Sequence, residues 1–317
     1  MAENKHTKEE LARLIALPLE DKVALTKLRI TEFYECLSGG VYLSFSGGKD
    51  STVLLTIARE LYPSIKAMYV DTGLEFPEVK RHVKTFGNVD IIRPKKSFKQ
   101  VIDSEGWVFP SKEVAEKIRF AKSGRTWAIN DLHGINRLGE KDKFKQRFIK
   151  WQGLLNAPFG ISETCCDVMK KATAHSYEKA NKTRPILGTM TEESALRRQG
   201  WLRTGCNSFK GNKSQSKPMS FWTEQDVLRY IKEHNIAIPS VYGDIVEKNG
   251  KLYTTGEDRT GCVFCLIGCH LEKGDRRRFV RLAKTHPSIY KYCMEQLGMK
   301  EILDYIQEYT GCEKLYV

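Results

Sequence analysis

Six consecutive residues, Ser46-Gly47-Gly48-Lys49-Asp50-Ser51, combine the residue types that hold a phosphate. They follow an apolar run, Val41-Tyr42-Leu43-Ser44-Phe45, that reads as a buried strand. They precede Thr52-Val53-Leu54-Leu55-Thr56-Ile57-Ala58, which reads as a helix. Adjacent glycines let backbone N–H groups crowd around phosphate oxygens. The helix start adds the positive end of its dipole, and Lys49 adds a full charge. Asp50 and Ser51 suit helix capping or a phosphate-bound Mg2+. The spacing is not that of Walker A, which places four residues between its first glycine and Gly-Lys. An ordinary Gly-Gly turn is the alternative, and the strand-to-helix setting with Lys-Asp-Ser attached argues against it.

A second chemical constellation is built from cysteine. Cys262-Val263-Phe264-Cys265 is a CxxC turn with Cys269 close behind it, and Cys165-Cys166 is an adjacent pair upstream. Four thiolates brought together bind zinc or an iron–sulfur cluster. Two neighbouring cysteines do not readily both serve one zinc tetrahedron, which favours [4Fe–4S] over zinc. The nine cysteines of the chain argue against a disulfide framework if the compartment is cytoplasmic. Cys36 and Cys293 read as small apolar residues buried on helices.

The N-terminus shows no signal-peptide pattern and no apolar run spans a bilayer, so a cytoplasmic protein without a membrane partner is expected. The formal charge of +13 suits a polyanionic partner as well as a simply basic surface. Much of that charge falls between Lys112 and Lys150. There Lys117, Arg119, Lys122, Arg125, Arg137, Lys141, Lys143, Lys145, Arg147 and Lys150 interleave with Trp127, Phe144, Phe148 and Trp151. Basic residues with interleaved aromatics suit nucleic acid. A helical hairpin with its rings in the core and its charges in water has the same composition.

The elements that must position these groups alternate. Residues 7–37 read as helical. Strands follow at Val41–Phe45, Ile65–Val70, Val89–Ile92 and Pro185–Gly188. Helices are expected to Leu61, over Pro77–Phe86 and over Trp222–His234, with a hairpin around Asn249-Gly250 and a helical tail from Pro287 to Tyr309. Alternation of this kind implies an α/β fold, a parallel sheet with helices on both faces, and right-handed crossovers that carry the phosphate loop to its carboxyl edge. The expected organisation is a helical segment over 1–38, a nucleotide-binding domain over 39–260 with a basic helical insertion at about 112–157, and a cysteine-containing helical region over 261–317.

Three further segments carry a family resemblance. The glycine loop resembles the SGGxDS loop of the PP-loop ATP pyrophosphatases, which have the adenine nucleotide alpha hydrolase-like fold. Asp71-Thr72-Gly73-Leu74-Glu75-Phe76-Pro77-Glu78 resembles a segment of the phosphoadenylylsulfate (PAPS/APS) reductase family. Gly188-Thr189-Met190-Thr191-Glu192-Glu193-Ser194-Ala195-Leu196-Arg197 resembles another, with Met190 where arginine is usual, and Lys217-Pro218 with Trp222–Val227 resembles a third. The resemblance runs from about Val41 to Cys269, the basic insertion excepted.

What the resemblance implies is specific. ATP or an adenylylated sulfur compound would bind Ser46, Gly47, Gly48, Lys49, Asp50 and Ser51, with its base near Asp71 and Gly188 and with Arg197 and Arg198 on phosphate. Cys165, Cys166, Cys262 and Cys265 would hold a [4Fe–4S] cluster, with Cys269 or Cys206 as substitutes. The intact glycine loop suits ATP cleavage. It points to an adenylating sulfurtransferase of the kind found in DNA phosphorothioation and tRNA thiolation, with Lys49 and Asp50 catalytic and a cysteine desulfurase as sulfur donor. The alternative is an adenylylsulfate reductase with Cys312 as its nucleophile, although the reductases' C-terminal signature around that thiol is missing here. A third reading is a nucleic-acid-binding subunit with a regulatory nucleotide site.

Overall fold

Pro18 divides the helical stretch expected over residues 7–37 into α1 (Lys8–Ile15) and α2 (Leu19–Cys36). Proline has no N–H and clashes with the preceding turn, so one helix stops before it and another starts after it. Thr7 and Glu10 cap α1 reciprocally. The structure, a computed structural model, describes residues 4–317. After α2 come β1 (Val41–Ser44), α3 (Lys49–Leu61), β2 (Ala67–Val70), α4 (Pro77–Lys84) and β3 (Val89–Ile92). Then follow α5 (Phe98–Glu105), α6 (Lys112–Lys122), α7 (Thr126–Leu132), α8 (Ala172–Asn181), β4 (Arg184–Leu187) and α9 (Ala195–Thr204). The remainder is β5 (Asn207–Ser208), β6 (Gln215–Ser216), α10 (Glu224–Glu233), the hairpin β7 (Ile245–Lys248) and β8 (Lys251–Thr254), α11 (Arg278–Thr285), α12 (Pro287–Lys291) and α13 (Met299–Thr310).

The chain divides into two compact units. One holds the chain up to Asp71, Glu75–Arg93 and Thr173–Gly261. Its sheet has the strand order β3-β2-β1-β4-β6-β5. All neighbours are parallel except the β5–β6 pair at one edge, so the expected parallel sheet forms with one antiparallel edge strand added. Strand order reverses between β1 and β4, and the carboxyl ends of parallel strands at such a point form a natural crevice. Val41, Leu43 and Phe45 pack into the main core with Ile30 and Phe33 of α2, Val53, Leu54 and Ile57 of α3, and Val227 and Ile231 of α10. Tyr42 points the other way, to Met68 and to Tyr177 of α8, so both faces of the sheet are covered. This alternation is the two-residue period of a strand.

Two buried polar contacts fix the first unit's interior. Lys22 meets Asp226 at 2.6 Å, and Asp226 also caps α10 through the Thr223 N–H. Thr26 is fully buried, accepts from Trp222 Nε1 at 2.9 Å and donates to the Pro218 carbonyl at 3.2 Å.

The other unit holds Thr72–Leu74, Pro94–Ala172 and the chain from Cys262 onward. Helical propensity over 112–150 is realised as α6, α7 and a 3-10 helix at Gln146–Asn156, with irregular turns between. Several basic residues of that segment turn inward. Lys117 is buried, bonds Asp131 at 2.6 Å and lies over the rings of Phe148 and Trp127. Lys145 shares Asp131 and Arg119 meets Glu163, both half-buried, whereas Arg147 meets Glu113 on the exposed surface. In contrast, Leu138 and Phe144 are each 82 % exposed, on a tip whose backbone is tied by Asn136 and Asp142 side chains. The helical tail is broken by a π-helical turn at Tyr292–Gln296 and by Gly298 at φ +65°. Cys293 is buried as expected, but Cys36 is exposed, because it sits on the outer side of the last turn of α2.

Thr26→Val keeps shape but strands the Trp222 N–H and the Pro218 carbonyl in the core. It should lower stability by about 1–3 kcal/mol, measured by chemical denaturation.

Candidate functional site

The glycine loop leaves β1 at the reversal point and enters α3, whose first residue is Lys49 and whose cap is Gly48. Gly47 has φ +72°, and a Cβ there would stand 2.6 Å from Val83 Cγ2 and 2.8 Å from Val79 Cγ1. The loop can therefore turn against α4 only with glycine at this position. Ser46 and Ser51 close the loop on itself: their hydroxyls are 2.9 Å apart, and the Ser46 N–H donates to Ser51 Oγ. Ser51 and Thr52 return hydrogen bonds to the Gly48 carbonyl.

Lys49 and Asp50 are the charged centre. The Lys49 side chain is 3 % exposed, donates to the Asp258 carbonyl at 2.7 Å and meets Glu224 at 3.2 Å. Burial pushes its ammonium pKa down, but Asp50, Tyr242 and Glu224 outweigh that and hold it above the ordinary value. Asp50 Oδ1 is buried with no hydrogen-bond partner. Burial raises the Asp50 carboxyl above the ordinary range against the opposing pull of Lys49, with Glu193 and Glu224 adding to the rise. An orphaned carboxylate oxygen beside an anion loop is what a phosphate-bound cation would satisfy, so Mg2+ fits the donors present.

Gly188 follows β4 and lies against Asp50 and Ser51, its would-be Cβ 3.4 Å from Ser51 Cα. Asp71 follows β2 at the same sheet edge, where its carboxylate holds Lys80 at 2.6 Å and Arg93 at 3.4 Å. Arg197 is drawn to Glu193, which Arg259 also approaches. Tyr242, Asp258, Thr260 and Glu224 were not foreseen as parts of this site. Tyr242 stands between Pro239 and Gly243, and Thr260 stands just ahead of the CxxC turn, the only local signals the sequence offers.

Within the second unit, Cys165, Cys166, Cys262 and Cys265 line one cavity of about 30 Å³ with Leu74, Trp107 and Phe264. The pair opens a helical turn that continues as a π-helical turn at Asp167–Lys171. The Cys165 thiol is hydrogen-bonded to Cys166 and pushed up; Cys166, aided next by Lys112 and Lys170, is lowered to about 5. Arg278 shapes the other half, donating to the carbonyls of Cys265 and Ile267 and to Glu272. Among the described residues no three His, Cys, Asp or Glu side chains converge as tightly as one metal ion requires. The four thiols line this one small cavity, with Lys112, Lys170 and Arg278 near enough to offset thiolate charge. Cys269 is buried behind Cys265, within electrostatic reach of Cys312, and burial raises its thiol to about 12. Cys206 belongs to the first unit, is buried and accepts a hydrogen bond from Trp201.

Residues 40–271 match the phosphoadenosine phosphosulfate reductase domain. The chain belongs to that family. An uncharacterized protein of Methanocaldococcus jannaschii is 22% identical over 275 residues, covering 84% of this chain and 51% of its own. Sulfate adenylyltransferase subunit 2 of Shewanella loihica is 26% identical over 234 residues, covering 68% and 65%. The chain thus spans between half and two thirds of the length of these relatives. A crystal structure of phosphoadenylyl-sulfate reductase from Candida auris aligns with 78% of this chain and 99% of its own, at 13% identity and a TM-score of 0.39. Family membership covers the phosphate loop and the CxxC turn alike, because both lie inside the matched residues. Among the described residues no helix is long and apolar enough to cross a membrane.

Gly47→Ala combines a positive φ with two short side-chain contacts. It should cost about 1–3 kcal/mol of stability and abolish nucleotide binding, read by denaturation and by calorimetry with an ATP analogue.

Proposed function

We propose that this chain is an ATP-cleaving member of its family that adenylates an acceptor and passes sulfur to it. The observation that carries this reading is the intact phosphate loop at the sheet's reversal point, with a buried Lys49 and an orphaned Asp50 oxygen beside it. In this reading the loop N–H groups and Lys49 bind the β- and γ-phosphates and orient the α-phosphorus toward the edge formed by Gly188. An acceptor oxygen attacks the α-phosphorus, the bond to the β-phosphate breaks, and Lys49 offsets the charge that develops on pyrophosphate. Asp50, with Ser51 near it, would hold Mg2+, which supplies further neutralisation of phosphate charge. The outer sulfur of a persulfide supplied by a cysteine desulfurase then displaces AMP from the adenylated centre, and a second thiol breaks the sulfur–sulfur bond, leaving sulfur on the acceptor and a disulfide between the two thiols.

Cys165, Cys166, Cys262 and Cys265 would hold a [4Fe–4S] cluster, which supplies electron or sulfur chemistry when bound. The reductase alternative draws on Cys312, half-buried near Cys269, as the thiol that attacks sulfur. The family and the relatives named sulfate adenylyltransferase subunit 2 support chemistry on adenylylated sulfur. The acceptor we infer is nucleic acid, met by the exposed Arg137, Lys141 and Lys143 around Phe144.

Protein purified without oxygen should carry iron and sulfide in near-equal amounts and release pyrophosphate from ATP. Lys49→Ala and Asp50→Ala should abolish that release and leave iron content unchanged, because loop and cysteines belong to different units. Reduction of adenylyl sulfate with no pyrophosphate release from ATP would make the reductase reading the correct one; stoichiometric zinc without sulfide would remove the cluster.

Neutralising Arg137, Lys141 and Lys143 should lower the salt slope of nucleic-acid binding by roughly one unit per lost phosphate contact. Removing the Phe144 ring should cost about 1–3 kcal/mol if a base stacks on it. Equal slopes and affinities in a salt titration would assign this tip to solvated surface.

A further inference from the structure

The anion site of the glycine loop is filled by the protein's own oxygen atoms. The Lys49 N–H donates to the Tyr242 hydroxyl at 3.2 Å, and Lys49 Nζ donates to the Asp258 carbonyl at 2.7 Å. Tyr242 and Thr260 hydroxyls are 2.8 Å apart, and both stand 3.1 Å from the place a Gly48 Cβ would occupy. The Tyr242 and Asp258 oxygens accept from Lys49, the donor an anion loop turns toward phosphate oxygens, and Thr260 stands beside them.

All of them come from one strap, residues 240–261. Its two arms are bound to each other: the Gly256 N–H donates to the Tyr242 carbonyl and the Glu257 N–H to that of Val241. A Cβ on Gly256 would lie 2.2 Å from the Val241 carbonyl oxygen, so the close pairing of the arms depends on glycine there. The hairpin between the arms is anchored elsewhere, through paired hydrogen bonds of Gln225 with Leu252 on the side of α10. Tyr242, Asp258 and Thr260 can therefore leave the loop together while the hairpin stays attached.

We propose that this strap is a displaceable plug: Tyr242 and Asp258 occupy the phosphate positions until the phosphates of a nucleotide replace them. The inference rests on the nucleotide reading given above. Tyr242 is 2 % exposed and its hydroxyl is neutral, so it satisfies the loop without competing strongly with a polyanion. A phosphate's charge-assisted hydrogen bond to the Lys49 N–H is about twice as strong as the neutral one to Tyr242, so a phosphate wins that exchange. A buried N–H at the helix start is costly when left unmade, which is why the plug is retained when phosphate is absent.

The test uses the full chain, with pyrophosphate and a non-hydrolysable ATP analogue as probes. Tyr242→Phe removes the competing acceptor. It should tighten binding of both probes roughly three- to tenfold in calorimetry, the span of one neutral hydrogen bond. In parallel, 3-fluorotyrosine placed at position 242 should give a buried 19F resonance that becomes solvent-exposed as pyrophosphate is added. Weaker or unchanged binding by Tyr242→Phe, together with a resonance that stays buried, would make Tyr242 a phosphate ligand or a bystander and overturn the plug alone. Absence of binding to either probe, in wild type and variant, would overturn the nucleotide reading and the plug with it.

Discussion

An ammonium buried at the first turn of a helix has to be surrounded by acceptors, and Lys49 organises the first unit for that reason. Its charge and the N–H groups of the α3 start, which have no partner within the helix, demand oxygens. The chain supplies them from three distant places: Glu224 at the start of α10, the Asp258 carbonyl and the Tyr242 hydroxyl. Each supplier is itself held by secondary structure. Thr223 and Asp226 cap α10, the hairpin β7–β8 is fastened to Gln225, and the sheet reversal at β1 and β4 brings the loop beside Gly188. The glycines of the loop follow from the same demand, because Gly47 must turn against Val79 and Val83 to aim the next N–H groups outward.

Charge in the second unit follows a similar rule with another outcome. Lys117, Lys145, Arg119 and Arg147 each meet a carboxylate, and Lys117 also covers aromatic rings. A long basic side chain can bury its stem and part of its charge when a carboxylate and a ring receive it. Lys112, Lys122, Arg125, Arg147 and Lys150 stay exposed, as do Arg137, Lys141 and Lys143 around a tip that displays Leu138 and Phe144. The formal charge of +13 is therefore a poor guide to where an anion would dock. The same unit uses Arg278 to tie the carbonyls of Cys265 and Ile267, so the turn that presents the thiols is held by a guanidinium fork that suits paired acceptors.

The sequence by itself determined the glycine loop, its strand and helix, the alternating order of the sheet elements and the hairpin at Asn249-Gly250. These rest on local rules: glycine conformation, hydrophobic period and turn chemistry act over a few residues. It did not determine the antiparallel edge strand β5, the exposure of Cys36, or the inward turn of Lys117. Only the tertiary structure decided that Asp71 serves Lys80 and Arg93, that Arg197 is drawn to Glu193, that Cys206 accepts from Trp201, and that Tyr242 fills the loop. Those outcomes depend on partners far apart in the chain, such as Lys49 and Asp258, and no local pattern encodes which acceptor a buried donor will meet.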